Sequence, residues 1–351
     1  MKKVHVSLVI SFFISTIFYN NQLLCMNDCE DFTEQAIIFS GNANPALAEK
    51  IATELGVSLG AATVSKFNDG EINIHVNESV RGKHVFIIQS TCPCSTQSIN
   101  DNLMELLLLI RTFKRSSAAT ITIVMPYYGY ARQDRKSSPR VPISAADVAA
   151  MIELAGADRV LTVDLHCGQI QGFFRDIPVD NLYAAQIFIP RLLENNLMNP
   201  VVVSPDAGGV ARATQFMKNL ENQGVSANMA LISKQRANAG VIASMTLIGS
   251  VQGSDAIIVD DICDTAGTLV KAAQLLKDQG ANRVFAVITH PLFSGNAMEK
   301  INNSVIDELI IADTIPLRSD APSNIIYVSV SSLIAKAIYR IHTGQSVSEL
   351  F

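Results

Sequence analysis

No run of lysine and arginine occurs in the 351 residues, and the formal net charge is −5. The chain therefore lacks the electrostatic footprint of a nucleic-acid binder, and small-molecule chemistry is the better expectation. It also lacks a Gly-x-x-x-x-Gly-Lys-Ser/Thr stretch, so a P-loop nucleotide site is excluded. Cysteine is sparse: Cys25, Cys29, Cys92, Cys94, Cys167 and Cys263. Cys25/Cys29 and Cys92-Pro93-Cys94 fit no zinc spacing, because no matching second Cys/His pair follows. They read as reduced, partly buried thiols. No low-complexity linker interrupts the chain, so its parts should pack closely. What is present is a 48% apolar content, enough to exclude global disorder, and a length that argues for two domains.

Residues 1–25 differ from the rest. Lys2 and Lys3 precede an apolar run from Val6 to Tyr19, then Asn20-Asn21-Gln22. The run is short for a membrane span and resembles a signal peptide. Leu24 before Cys25 is too large for a good processing site, and the Ile/Phe/Asn/Tyr/Lys bias is that of translated AT-rich non-coding sequence. Two expectations stand: a mis-called start with Met26 as first residue, or an export signal. Residues 1–33 are set apart as an N-terminal extension.

From residue 36 short apolar runs alternate with helical patterns. Strands are expected at 37–39, 85–88, 120–125, 160–163, 201–203, 257–259 and 284–288. Helices are expected from Asn44-Pro45 to Gly56 and over 101–113, 144–154 and 268–278. Strands without period-two alternation, interleaved with helices, indicate parallel sheets covered on both faces. Residues 156–166, GADRVLTVDLH, and 280–290, GANRVFAVITH, look like copies, each preceded by a strand ending in a polar loop. The expectation is an α/β fold of two duplicated units, residues 34–181 and 182–351, with the crossing near 168–185.

Residues 257–269, IIVDDICDTAGTL, carry the clearest chemistry. A buried strand ends in Asp260 and Asp261, and Asp264 then opens the turn Thr265-Ala266-Gly267-Thr268 into a helix. Ligands of open α/β sheets collect at the carboxyl ends of strands. A helix N-terminus with hydroxyl donors favours phosphate, and adjacent carboxylates suit vicinal sugar hydroxyls. The pattern therefore reads as a ribose 5-phosphate loop; the bland alternative is an acidic loop that caps a helix.

This fingerprint resembles the type I phosphoribosyltransferase superfamily. Five further stretches, Phe67-Asn68-Asp69-Gly70-Glu71, Tyr127 to Arg135 (YYGYARQDR), Val163-Asp164-Leu165-His166, Ser204 to Gly209 (SPDAGG) and Thr289 to Gly295 (THPLFSG), together resemble the ribose-phosphate pyrophosphokinase family over residues 35–351. The resemblance implies two phosphoribosyltransferase-like domains, each a mainly parallel sheet flanked by helices. It implies transfer of a diphosphoryl group from ATP to the C1 hydroxyl of ribose 5-phosphate, cytoplasmic location, and self-association as hexamers.

It also implies roles. Phe67, Asp69, Glu71, Arg132, Gln133 and Asp134 hold ATP, the Phe67 loop reaching a neighbouring subunit's site. Arg236, Asp260, Asp261, Asp264, Thr265, Ala266, Gly267 and Thr268 hold ribose 5-phosphate. His166 and Asp206 place Mg²⁺, and Lys234 and Arg236 are catalytic cations. Asp164 is expected on the same strand face as His166, and His290 is expected to be structural. Ala266 stands where many relatives have Gly or Cys. The short loop 136–143 keeps Lys136 and Arg140, leaving regulation by phosphate and ADP open. A plain phosphoribosyltransferase would not need Arg132-Gln133 or Lys234-x-Arg236. A non-catalytic homologue would have lost Lys234, His166 or an aspartate at 260/261.

Overall fold

The computed structural model describes Phe32, residues 34–238 and residues 241–350. Both expectations for residues 1–25, with Cys25 and Cys29, lie outside the described residues. Phe32, assigned above to the extension, is buried and stacks on Phe86.

The chain runs β1 (Ala36–Ser40), α1 (Pro45–Glu54), the hairpin β2 (Ala62–Lys66) and β3 (Ile72–Val76), β4 (His84–Ile88), α2 (Ile99–Arg115) and β5 (Thr120–Met125). It continues with α3 (Ser144–Ala155), β6 (Arg159–Val163), β7 (Val179–Leu182) and α4 (Ala185–Leu193). The succession then starts again. β8 (Val201–Ser204) leads to α5 (Val210–Asn222), the hairpin β9 (Asn228–Asn238) and β10 (Val241–Ile248), β11 (Asp255–Cys263) and α6 (Gly267–Asp278). β12 (Arg283–Pro291), α7 (Ala297–Asn302), β13 (Glu308–Ala312), β14 (Ile325–Val328) and α8 (Ser331–His342) complete it.

Local chemistry explains several boundaries. Asn44 caps α1 by accepting from the Leu47 amide, with Pro45 in the first turn. Ser98 and Asp101 form a reciprocal capping box at the start of α2. β5 and β6 are buried along almost their whole length, as strands covered on both faces must be.

One sheet has the order β1-β4-β5-β6-β7 and is parallel throughout. The other runs β10-β9-β8-β11-β12-β13-β14, parallel except for the β9–β10 hairpin. The duplication is therefore real, but its register is not the one read from GADRV and GANRV. Those strings precede β6 and β12, which stand fourth and third in the corresponding series β1-β4-β5-β6-β7 and β8-β11-β12-β13-β14. Topology instead pairs β5 with β12 and β4 with β11. Each quoted string joins a helix to the next strand, so it repeats within a unit as readily as between units.

The two sheets share a core. One apolar cluster joins Ile38, Phe86 and Leu161 of the first sheet to Val202, Ile257, Phe285 and Ile310 of the second, through residues of α1, α4, α5 and α8. Separate clusters cover the outer faces, under α2 and α3 on one side and α6 and α7 on the other. Asn44 Nδ2 donates to the Asp313 carbonyl and Lys50 Nζ lies 2.8 Å from Asp313 Oδ2, tying α1 to the loop after β13. The carboxyl ends of both sheets face one cleft.

Candidate active site

That cleft has a volume of about 1340 Å³. The loop after β5 brings Arg132, Gln133 and Asp134 to it, the loop after β6 brings His166, and the loop after β8 brings Asp206. β11 and its turn contribute Asp260, Asp261, Asp264, Thr265, Ala266, Gly267 and Thr268. Loops 132 residues apart in the chain thus meet in space, and an ion pair marks the junction: Arg132 Nη1 donates to Asp264 Oδ2 at 2.8 Å. Ser144 Oγ hydrogen-bonds Gln133 Oε1. Gly129 lets the same loop pass against the segment between β4 and α2, since a Cβ there would overlap the Thr91 carbonyl oxygen and the Ile99 side chain.

The aspartate pair is embedded in β11, which runs on to Cys263 because β12 pairs with it as far as Pro291. Asp261 is 2% exposed. Its Oδ1 lies 2.9 Å from Arg212 Nη1 and its Oδ2 lies 2.7 Å from His166 Nδ1. Burial alone would raise the Asp261 carboxyl, but Arg212 and His166 outweigh it and hold it well below the usual range. Asp260 goes the other way: burial and the neighbouring Asp261 charge push its carboxyl up, against the pull of Arg212. The hydrogen bond to Asp261 raises the His166 imidazole above its ordinary value, against desolvation.

The turn that follows is shaped for an anion. Ala266 sits at the N-cap of α6 with φ 57° and ψ −1°, and no side chain caps the helix. The first-turn amides of α6 therefore lack both helical partners and a side-chain acceptor. Lys300 Nζ donates to the Thr265 carbonyl, and the Ser294 amide donates to the Asp264 carbonyl, bracing the turn from β12's loop and α7.

Some expected residues lie elsewhere. Phe67, Asp69 and Glu71 form the β2–β3 turn, outside the residues that line the cleft, with Phe67 55% exposed. Lys234 and Arg236 have their backbone in β9, opposite Met245 and Ile242 of β10. Their side chains lie outside the described residues, while Ser233 just before them lines the cleft. Asp164 and His166 do not share a strand face, because β6 ends at Val163 and Asp164 adopts φ 43°. Asp164 Oδ2 instead accepts from Thr289 Oγ1 at 2.6 Å and from the Ala184 amide. His290 is buried, with ring nitrogens near Thr314 Oγ1 and the Val163 and Asp164 carbonyls, and burial lowers it to about 4. That is a structural histidine. Cys167 and Cys263 line the cleft as inert thiols, pushed up by burial to about 11 and about 12.

Arg212 escaped the sequence reading. Burial would lower its guanidinium, but Asp261, Asp164, Asp260 and Asp206 surround it and raise it. A signal existed: Arg212 falls in the first turn of α5, where a cation opposes the helix dipole and needs a reason to be there.

The comparisons agree on one family. A family model described as the N-terminal domain of ribose phosphate pyrophosphokinase matches residues 36–156, and one described as a phosphoribosyl synthetase-associated domain matches residues 222–351. A curated ribose-phosphate pyrophosphokinase from Wolinella succinogenes is 52% identical over 314 residues, covering 90% of this chain and 98% of the relative. One from Shewanella oneidensis is 51% identical over 317 residues, with the same coverage of 90% and 98%. The crystal structure of phosphoribosylpyrophosphate synthetase from Mycobacterium smegmatis superposes with a TM-score of 0.81 at 37% identity, covering 88% of this chain and 99% of that one.

Proposed function

The chain belongs to the ribose-phosphate pyrophosphokinase family, and from that premise we propose how its own residues carry the reaction. The protein is a transferase that moves the diphosphoryl group of ATP to the C1 hydroxyl of ribose 5-phosphate, giving 5-phosphoribosyl 1-pyrophosphate and AMP for nucleotide biosynthesis. The observation that carries the residue assignment is the convergence of Arg132-Gln133, His166, Asp206 and the Asp260–Thr268 loop on one cleft.

The 5-phosphate sits in the Thr265–Thr268 turn, on the free amides of α6 and the two hydroxyls. The phosphate would repel the aspartates, so the carboxylate that is open to the cleft, Asp260, meets the sugar hydroxyls instead. Arg132 leaves Asp264 for the ATP phosphates, with Gln133 and Asp134 beside it. Lys234 and Arg236 close from β9 and stabilise charge on the transferring group; Arg236 also meets ribose 5-phosphate. In-line attack by the C1 hydroxyl needs no covalent intermediate, so positioning and charge are the whole task.

Among the described residues, no group of three or more His, Cys, Asp or Glu could hold a metal ion alone. Mg²⁺ asks for less, since it keeps several waters and takes one or two protein ligands beside substrate phosphates. His166 and Asp206, which both line the cleft, fit that demand. When bound, Mg²⁺ would neutralise the ATP phosphates.

A partition into two units after an N-terminal extension, placed at 34–181 and 182–351, is supported in outline by sheet order, as β1, β4, β5, β6 and β7 form one sheet before β8 opens the other. β7 runs on to Leu182 and Phe32 packs into the core, so both boundaries shift by a residue or two. Self-association is supported by exposed Met104 and Leu108 on α2 and exposed Met151 and Leu154 on the neighbouring α3; a homohexamer is what the family resemblance implies. No described helix is long and apolar enough to cross a membrane. A supply of ATP and ribose 5-phosphate favours the cytoplasm over export, and nucleic acid and membrane are not partners in this reading.

The test is product analysis. Purified protein with Mg²⁺, ATP and ribose 5-phosphate should yield AMP and 5-phosphoribosyl 1-pyrophosphate in equal amounts. Folded protein that yields neither, with inorganic phosphate added, would sink the assignment.

A further inference from the structure

Resting on the reading of Asp260 and Asp261 as part of the ribose 5-phosphate loop, we propose that Arg212 divides this adjacent pair. Asp260 serves the sugar. Asp261 is an inward strut that Arg212 clamps, and it acts on the reaction by orienting His166. Arg212 is a positioning residue for both units at once.

Three observations carry this. The first is strand alternation, which sends neighbouring side chains to opposite faces. Ile257 and Val259 belong to the shared core between the sheets, and Asp261 continues that face. Ile258 belongs to the outer cluster that contains residues of α6, and Asp260 continues that one. The turn that receives the phosphate opens α6, so the carboxylate on the α6 face is the one beside the sugar.

The second is the state of the two carboxylates. Both Asp261 oxygens have close charged or polar partners, Arg212 Nη1 at 2.9 Å and His166 Nδ1 at 2.7 Å, and the side chain is almost sealed. Asp260 Oδ1 stands 3.7 Å from Arg212 and accepts from the Asp261 amide at 3.0 Å, with a side chain more open to the cleft. A carboxylate that already has two partners and little exposure is poorly placed to take vicinal hydroxyls as well.

The third is the reach of Arg212. Its Nη2 lies 3.3 Å from the His166 carbonyl and 3.5 Å from that of Leu165. One planar fork therefore spans from the loop after β6 to β11, which a lysine ammonium cannot do. A carboxylate that holds one imidazole nitrogen fixes the ring and leaves the other nitrogen for a ligand, and losing such a partner typically costs 10- to 100-fold.

The experiment compares Asp260→Asn, Asp261→Asn and Arg212→Lys in the full chain, reading ribose 5-phosphate affinity by calorimetry without ATP, and kcat separately. Asp260→Asn should weaken ribose 5-phosphate about tenfold or more. Asp261→Asn and Arg212→Lys should leave that affinity within about threefold while kcat falls about 10- to 100-fold. Equal loss of ribose 5-phosphate affinity in Asp260→Asn and Asp261→Asn overturns the division. Full turnover in Arg212→Lys overturns the clamp, and this variant keeps the charge, so it is readable even if Asp261→Asn does not fold. Wild-type protein that fails to bind ribose 5-phosphate overturns the loop assignment itself, and the division with it.

Discussion

At the scale of single residues, the site depends on a few positions where backbone geometry rather than side-chain chemistry is decisive. Gly129 carries no functional group, yet it lets the loop bearing Arg132 lie against Thr91. Gly129→Ala should destabilise the fold by about 1–3 kcal/mol through overpacking and should raise the KM for ATP by displacing Arg132. Urea unfolding and steady-state kinetics check both, and an unchanged midpoint would show that the loop yields freely. Ala266 is the opposite case, since it holds a left-handed conformation usually given to glycine. Its buried methyl packs with Leu269 and Phe293 in the outer cluster, which offsets part of that strain. The sequence marked Ala266 as a departure, but its positive φ became visible once the turn was seen.

Elements meet where the chain could not announce it. His84, at the start of β4, stacks on Phe86 and lies beside His342 at the end of α8, with its Nε2 2.8 Å from Thr122 Oγ1. Burial first, then His342 and Arg159, lower His84 to about 4, with Asp158 opposing weakly. The fold therefore holds this ring neutral while the unfolded chain protonates it near its ordinary value. Stability from this group is present above about pH 6.5 and is lost as pH falls toward about 4. The urea midpoint should drop across that window, and His84→Gln should flatten the drop. An equally steep fall in the variant would assign the effect to other groups. Both hairpins also went unread, because β2–β3 is half-exposed and β9–β10 carries polar residues between its apolar ones. β11 and β12 proved longer than their apolar runs, since their polar ends pair with each other.

For the whole molecule, an ATP contact from the Phe67 hairpin, which lies outside its own cleft, would require a neighbouring subunit. If the Phe67 turn serves a neighbouring subunit, Phe67→Ala and Lys234→Ala damage different halves of one shared site. Each variant alone should be weak. Co-expressed, they should recover about a quarter of wild-type sites by random pairing of subunits. Activity no greater than the sum of the two separate variants would place the hairpin's role within its own chain.

The amino-acid sequence by itself determined the alternation of buried strands and helices, the aspartate–turn fingerprint and the cluster of motifs that places the chain in its family. These are local signals: strand burial, turn residues and helix caps act over a few positions. Tertiary structure alone decided what depends on distant partners. Arg212 meets the His166 carbonyl across 46 residues, and Asp261 meets the His166 ring across 95. No periodicity encodes such a meeting, because the partners come from different units and are joined only when both sheets settle on one core. The register of the duplication was hidden for a related reason: β–α units resemble their neighbours as much as their counterparts, and sheet order is what tells them apart.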